Sequence, residues 1–247
     1  MQMGRLVRDI RRRKFDLVVD FHSFRETNLL TGLSGAPVRM GMKRHHAPFL
    51  GFCFNRPSVL EDKNIHVAEM FLRVVAGRAS GSPSLLVARS DKSAKPKLVL
   101  YVDAPVPERI WPPERFAEVA DAAVEKYGAA VHVISGTDGA ELPRRVQEAS
   151  RHCDRLSIST DLTLPQLAEA IASARLLISN DTGPMHLGPA LGVPTLGLFS
   201  VGYPGHFRPI GPNDRFLRAN PIDKIEAKEV IETLAEMWTT AGRDLRR

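Results

Sequence analysis

The chain has 247 residues, 43% hydrophobic and 25% charged, a composition that is typical of a folded core and excludes a disordered or fibrous protein. Its only two cysteines, Cys53 and Cys153, exclude a disulfide framework and a cysteine-based metal cluster, which favours a cytoplasmic protein. Residues 1–94 hold 16 basic and 8 acidic side chains and residues 95–247 hold 18 and 20, so the first part carries +8 and the second −2. The basic first part indicates either an anionic partner or a solvated surface. Because aromatic residues do not interleave with its arginines, nucleic acid is not an expected partner.

Apolar periodicity predicts alternating helices and strands. Leu6, Val7 and Ile10 line one face of a first helix whose other face is rich in arginine. Residues 77–96 are rich in Ser, Pro, Gly and charge, which predicts a linker between a first domain, residues 1–90, and a second, residues 91–247. In the first domain we predict strands over residues 15–21 and 38–42, helices over residues 24–33 and 66–76, and a loop over residues 45–60.

The second domain repeats the strand–helix alternation more regularly. Pro113 begins a helix that Gly128 ends, and Thr163 with Gln166 predicts a capping box at the start of another helix. Strands separated by helices imply parallel βαβ units and therefore an open α/β sheet. We predict strands over residues 98–102, 130–135, 156–158, 176–179 and 195–199, and helices over residues 113–127, 140–149, 164–174, 184–191 and 227–238.

One strand end combines residues suited to binding phosphate. After the strand over residues 176–179, Thr182 and Gly183 form a tight turn at a helix start, where free amides and the helix dipole favour an anion. Asp181 would accept hydrogen bonds from a sugar hydroxyl or brace the turn, and His186 could donate to a phosphate or sugar oxygen. The alternative is that Asp181 and Thr182 only cap the helix and that His186 is a core histidine.

Residues 179–187 (SNDTGPMHL) and 190–199 (ALGVPTLGLF) together resemble the C-terminal signature of the family 9 glycosyltransferases, the heptosyltransferases of lipopolysaccharide core assembly. Residues 109–116 (RIWPPERF) resemble the K-x-W-P-x-x-x-F motif of that family, with Arg109 in place of the lysine that contacts the donor diphosphate. Gly188 stands where the family usually has Ala. Weaker matches extend the resemblance over nearly the whole chain.

The resemblance implies an α/β protein of the GT-B type, with two Rossmann-like lobes facing each other across a cleft. The second lobe would hold a nucleotide-diphosphate sugar, most simply ADP-heptose, and the basic first lobe a phosphorylated lipid or oligosaccharide acceptor. It further implies inverting transfer of a heptose, a cytoplasmic location with peripheral contact at the anionic inner membrane, and no metal or other cofactor. For donor binding it indicates Arg109, Glu141, Asp181, Thr182, Gly183 and His186, with Asp138 as an alternative to Glu141 at the ribose, and for acceptor binding Arg25.

One departure from the family pattern concerns the general base. Family members begin with a strand and a Gly-rich loop whose Asp is taken as the base, and nothing in this sequence matches that segment. We therefore expect the first lobe to be incomplete, with Asp20 and His22 as candidates for the base because they lie at the carboxyl end of a strand. Two alternatives stay open: a catalytically incomplete nucleotide-sugar-binding protein or fragment, and another enzyme acting on nucleotide sugars, such as an epimerase.

Overall fold

The computed structural model divides into two compact units, Met1–Pro83 and Ser84–Arg247, each built on a parallel sheet. It describes residues 2–45, 47–76, 97–136 and 139–243. The helices are α1 (Gln2–Arg13), α2 (Arg25–Leu33), α3 (Val67–Ala76), α4 (Pro113–Tyr127), α5 (Glu141–Ala149), α6 (Leu164–Ala172), α7 (Gly183–Ala190), α8 (Pro204–Phe207) and α9 (Ala227–Arg243). The strands are β1 (Leu17–Asp20), β2 (Val38–Lys43), β3 (Val59–Leu60), β4 (Lys97–Tyr101), β5 (Ala130–Ile134), β6 (Leu156–Ser159), β7 (Leu176–Asn180), β8 (Thr195–Phe199) and β9 (Arg215–Arg218).

The first unit is a three-stranded parallel sheet in the order β1-β2-β3. Its buried cluster is formed by Met42 on β2 with Met70 and Val74 on α3. The predicted loop over residues 45–60 is wrong at its end, because Val59 and Leu60 pair with β2 as β3. Two residues are too few to give an alternating pattern, so the sequence offered no signal for this strand.

The second unit is a six-stranded parallel sheet in the order β6-β5-β4-β7-β8-β9. This is the order of a doubly wound dinucleotide-binding fold, in which the chain reverses direction across the sheet between its first strand, β4, and its fourth, β7. Ligands of such sheets bind at the carboxyl ends of the strands beside this switch point. The predicted α/β class with parallel sheets is therefore confirmed, and the topology indicates where a site should lie.

The central strands are buried on both faces, as their continuous apolar sequences predict. On β4, Leu98 and Leu100 pack into the cluster that includes residues of α4 and α9, whereas Val99 and Tyr101 pack into a second cluster with α6. Successive side chains of a strand point to opposite faces, so the two clusters cover the two sides of one sheet. This packing holds the carboxyl ends of β4 and β7 on a rigid base.

Several helix ends agree with the sequence signals. The helix α4 begins at Pro113 and ends before Gly128, which has φ +61°, and the Thr163 backbone N–H donates to Gln166 Oε1 at 2.9 Å at the start of α6. The sequence predictions missed the four-residue helix α8. They also missed the edge strand β9, whose residues are mostly exposed. No helix within the described ranges is long and apolar enough to cross a membrane. The predicted boundary between residues 90 and 91 lies outside the described residues and stays a prediction.

Candidate donor site at the switch point

Arg109 and Asp181 meet at the switch point of the second unit. Arg109 ends a short 3-10 turn, Pro107–Arg109, in the connection after β4, and Asp181 directly follows β7. These two strands are neighbours in the sheet, since Leu100 pairs with Ile178 and Tyr101 with Ser179. Two segments that are 72 residues apart in sequence are therefore brought together at the edge where ligands bind.

The Arg109 guanidinium contacts Asp181 through one nitrogen. Nη1 lies 3.4 Å from Asp181 Oδ2 and donates to the Asp181 backbone carbonyl oxygen at 3.3 Å. The Asp181 side chain is only 7% exposed, whereas the Arg109 side chain is 34% exposed. The pair thus has a buried anionic end and a cationic end that solvent reaches.

Burial raises the pKa of the Asp181 carboxyl, and the positive charge of Arg109 opposes that rise. The backbone of Gly202, after β8, lies against the same carboxylate, so that a Cβ at residue 202 would overlap Asp181 Oδ2. A side chain at this position would force the carboxylate to shift, so the glycine after β8 suits the contact between Asp181 and Arg109.

The connection that holds Arg109 is fixed to the strand ends by hydrogen bonds. The Asn180 side chain donates to the Val102 carbonyl at 2.9 Å and accepts from the Trp111 backbone N–H at 3.3 Å. Ser200 Oγ donates to the Glu108 carbonyl. Trp111 is fully buried, and its indole N–H donates to the Ile225 carbonyl at 2.9 Å. The sequence analysis did not assign these roles, although a buried polar residue at the end of an apolar strand is a signal for such a bond.

The first turn of α7 presents free amides beside this pair. Within the described part of the chain, no hydrogen-bond acceptor is recorded for the backbone N–H groups of Thr182 and Gly183. The Thr182 side chain makes no capping bond to the helix, and a Cβ at Gly183 would find no atom within 4 Å. The alternative in which the Thr182 hydroxyl only caps the helix is therefore not what the structure has.

The other predicted donor residues, His186 and Glu141, follow strands β7 and β5 at the same edge of the sheet. His186 is an exposed residue of α7, so it is not a core histidine. Glu141 is the exposed first residue of α5, after β5, and its charge acts on Arg145. Asp138, the alternative to Glu141, lies outside the described residues. After β5, the Gly136 backbone N–H donates to Asp103 Oδ2 at 3.1 Å.

In the first unit, Asp20 is engaged by four donors. Its Oδ1 accepts from the backbone N–H groups of His22 and Ser23, and its Oδ2 from Thr27 Oγ1 and Asn28 Nδ2, all at 2.8–3.0 Å. A carboxylate offers about four lone-pair positions, so these bonds fill them. This geometry favours a role for Asp20 in holding the end of β1 to the start of α2 over a role as a base.

His22 and Arg25 are exposed at the same strand end. The His22 ring lies against the Phe24 ring, with centroids 5.8 Å apart, and Arg25 begins α2. The Arg44 guanidinium lies over the same Phe24 ring, 5.1 Å from its centroid. Arg25 follows β1 and Arg44 follows β2, so both arginines belong to the carboxyl edge of the first sheet. Their roles as base candidate and acceptor contact stay predictions.

The comparisons with known proteins identify the class. The sequence profile of glycosyltransferase family 9 (heptosyltransferase) matches residues 3–235. The chain therefore belongs to glycosyltransferase family 9, and the resemblance noted in its motifs is confirmed. This match over nearly the whole chain disfavours the alternative of an epimerase.

Individual relatives agree with this assignment. Lipooligosaccharide heptosyltransferase 2 of Haemophilus ducreyi is 28% identical over 135 residues, an alignment that spans 50% of this chain and only 38% of that protein. The ADP-heptose lipopolysaccharide heptosyltransferase II of E. coli has a similar structure, with a TM-score of 0.81 and 18% identity over 97% of this chain and 82% of that one. The E. coli heptosyltransferase WaaC with ADP is also similar, with a TM-score of 0.78 and 18% identity over 96% of this chain and 77% of that one. At these identities the structural likeness shows the GT-B fold.

Proposed function

We propose that this protein transfers a sugar, a heptose, from ADP-heptose to a lipopolysaccharide core-type acceptor, with inversion at the anomeric carbon. The observation that supports the donor half best is the position of Arg109 beside the free amides of Thr182 and Gly183 at the switch point. A guanidinium and helix N-terminal amides are the groups that proteins use to bind diphosphate. The relatives that contain ADP or are named for ADP-heptose support the choice of donor.

In the proposed reaction an acceptor hydroxyl oxygen forms a bond to the anomeric carbon of the donor. The bond between that carbon and the diphosphate oxygen breaks, its electron pair leaves with ADP, and the hydroxyl proton passes to a base. Negative charge grows on the diphosphate as this bond breaks, so Arg109 and the α7 amides would bind the transition state more tightly than the substrate. His22 is the candidate base in the first unit that keeps an exposed ring.

The proposed acceptor is a phosphorylated lipid or oligosaccharide, bound by Arg25 in the first unit. The exposed basic face of α1, with Arg5, Arg8 and Arg12, supports an anionic partner of this unit. We place the reaction in the cytoplasm, at the inner surface of the membrane, where such an acceptor is available.

Calorimetric titration with ADP, UDP, GDP and AMP tests the donor assignment. We expect ADP to bind, AMP to bind less tightly, and Arg109→Ala to weaken ADP binding by about 1–3 kcal/mol, the range for charge-assisted hydrogen bonds. Arg155→Ala is the matched control, because Arg155 precedes β6 at the opposite edge of the same sheet. A folded Arg109→Ala variant with unchanged ADP affinity would remove Arg109 from the site.

A second function, nucleotide-sugar binding without transfer, is favoured by one observation. The four donors on Asp20 leave it no free position for a proton. Release of ADP from ADP-heptose in the presence of a heptose-free lipopolysaccharide core acceptor separates the two functions. Product formation supports the transferase, and donor binding without product supports the binding protein.

A further inference from the structure

The Arg109 guanidinium is held along one side only. Its Nη1 donates to the Asp181 backbone carbonyl oxygen at 3.3 Å and lies 3.4 Å from the carboxylate oxygen Oδ2. Among the described residues, Nε is buried without a hydrogen-bond partner, and no bond of Nη2 is recorded. Of the three remaining N–H groups, Nε–H and one N–H of Nη2 lie parallel along the Nε–Nη2 edge. A buried donor without an acceptor is costly, so this edge is suited to a ligand oxygen.

This free edge has the geometry of a phosphate fork. Two parallel N–H groups of a guanidinium bind two oxygens of a phosphate at once, which a lysine ammonium cannot do because it acts as a point charge. An arginine can thus engage Asp181 with one nitrogen and a diphosphate with the opposite edge. Arg109, which stands in place of the lysine of the family motif, can therefore make both contacts at once.

We infer that Asp181 is a positioning residue, which fixes Nη1 of Arg109 so that the Nε–Nη2 edge faces the donor diphosphate. This inference rests on the proposed donor-binding function and specifies how Asp181 serves it: through Arg109, without contact to the sugar. The nearly complete burial of Asp181 supports it, because a carboxylate side chain that is 7% exposed has little surface for a sugar hydroxyl. The packing of Gly202 against Oδ2 supports it as well, since it keeps the carboxylate in one place.

A positioning role for Asp181 and simple electrostatics predict opposite changes in ADP affinity for the substitution Asp181→Asn. Asp181→Asn removes a negative charge near the proposed anion site, so Coulomb attraction alone would tighten ADP binding. If Asp181 positions Arg109, the same variant loses the charge that fixes the guanidinium and binds ADP more weakly. The backbone carbonyl still accepts from Nη1, so we expect a partial loss of about 3- to 10-fold in affinity.

A double-mutant cycle provides the test, with calorimetric titration of ADP, AMP and ADP-heptose into wild type, Asp181→Asn, Arg109→Ala and the double variant. We expect Asp181→Asn to weaken ADP and ADP-heptose equally, to affect AMP less, and to have no further effect once Arg109 is alanine. Asp121→Asn is the matched control, because Asp121 is also buried and paired with an arginine, Arg151, at 3.1 Å. It should leave ADP affinity unchanged.

Gly202→Ala gives a second route that keeps the charge. Its Cβ should displace the Asp181 carboxylate and weaken ADP binding to a similar extent, without adding to the effect of Asp181→Asn. Tighter or unchanged ADP binding in both variants would overturn the inference, as would an equal loss in the Arg109→Ala background. A loss confined to ADP-heptose would assign Asp181 to the sugar instead. Failure of the wild type to bind ADP would refute the proposed function and this inference with it.

Discussion

The substitution Gly183→Ala should weaken ADP binding at the start of α7 without lowering the stability of the fold. An added Cβ would meet no atom within 4 Å, and Gly183 is not among the glycines with positive φ, so the fold accepts the methyl group without rearrangement. Alanine is favoured over glycine in helix interiors by about 1 kcal/mol, and by less at a first position. The free energy of unfolding should therefore stay unchanged or rise by up to about 1 kcal/mol.

The same methyl group should weaken diphosphate binding. It lies beside an amide that we expect to donate to a phosphate oxygen, and losing a charge-assisted hydrogen bond costs about 1–3 kcal/mol. This corresponds to a dissociation constant for ADP that is roughly 5- to 150-fold higher. A variant that is at least as stable as wild type but binds ADP less tightly would show that the loss comes from the site.

Titration calorimetry with ADP and denaturant unfolding of the same preparations give the two quantities. Gly4→Ala is the matched control, because Gly4 is also a helical glycine whose Cβ would find open space, but it lies on α1 in the first unit. It should leave ADP affinity unchanged. An unaltered ADP affinity in stable Gly183→Ala would refute the argument that phosphate approaches this amide closely.

Three further predictions concern stability. Gly188→Ala should lower the free energy of unfolding by about 1–3 kcal/mol, because its Cβ would overlap Thr195 Oγ1, and Thr195→Ala in the same chain should recover part of the loss in denaturant unfolding. Burial, with the charge of Lys97, lowers the pKa of His132 to about 4. The unfolded state therefore binds more protons than the folded state below pH 6.5, so the free energy of unfolding should fall by about 1–2 kcal/mol from pH 7 to 4.5. This fall should be larger than in His132→Gln, and the same dependence on pH in both proteins would contradict the prediction. Asp20→Asn should lower the free energy of unfolding of the first unit by about 1–3 kcal/mol, because an amide cannot accept hydrogen bonds from all four donors. Loss of sugar transfer with an unchanged free energy of unfolding would instead make Asp20 the base.

Much of the second unit could be predicted from its sequence because its signals are local. Pro113 and Gly128 mark the ends of α4, and the central strands are apolar enough to be recognised without any knowledge of their partners. The edge strand β9 was missed because its four residues, RFLR, show no alternation of apolar and polar residues and stay largely exposed. Only its pairing with β8 makes it a strand, and pairing is a property of the fold.

The candidate site shows the same limit. The helix start at Thr182 and Gly183 and the cation Arg109 were identified from motifs, but the contact between Arg109 and Asp181 joins two strand ends that no local pattern connects. Likewise, Gly202 and Asn180 gain their roles only from what lies against them in space. Sequence reasoning therefore named the candidate ligand-binding residues and could not predict the residues that hold them in place.

The hydrogen bonds to Asp20 join several features of the first unit at the end of β1. Its Oδ1 fixes the backbone at His22 and Ser23, and Ser23 adopts a φ of +55°, which is costly for a residue with a side chain. The bonds from Thr27 and Asn28 to Oδ2 fix the start of α2 to the same strand end. The backbone of His22 and the first turn of α2, which Arg25 begins, are thus held by one carboxylate. A residue that positions the candidate base and the candidate acceptor contact together can be essential for transfer without itself accepting a proton.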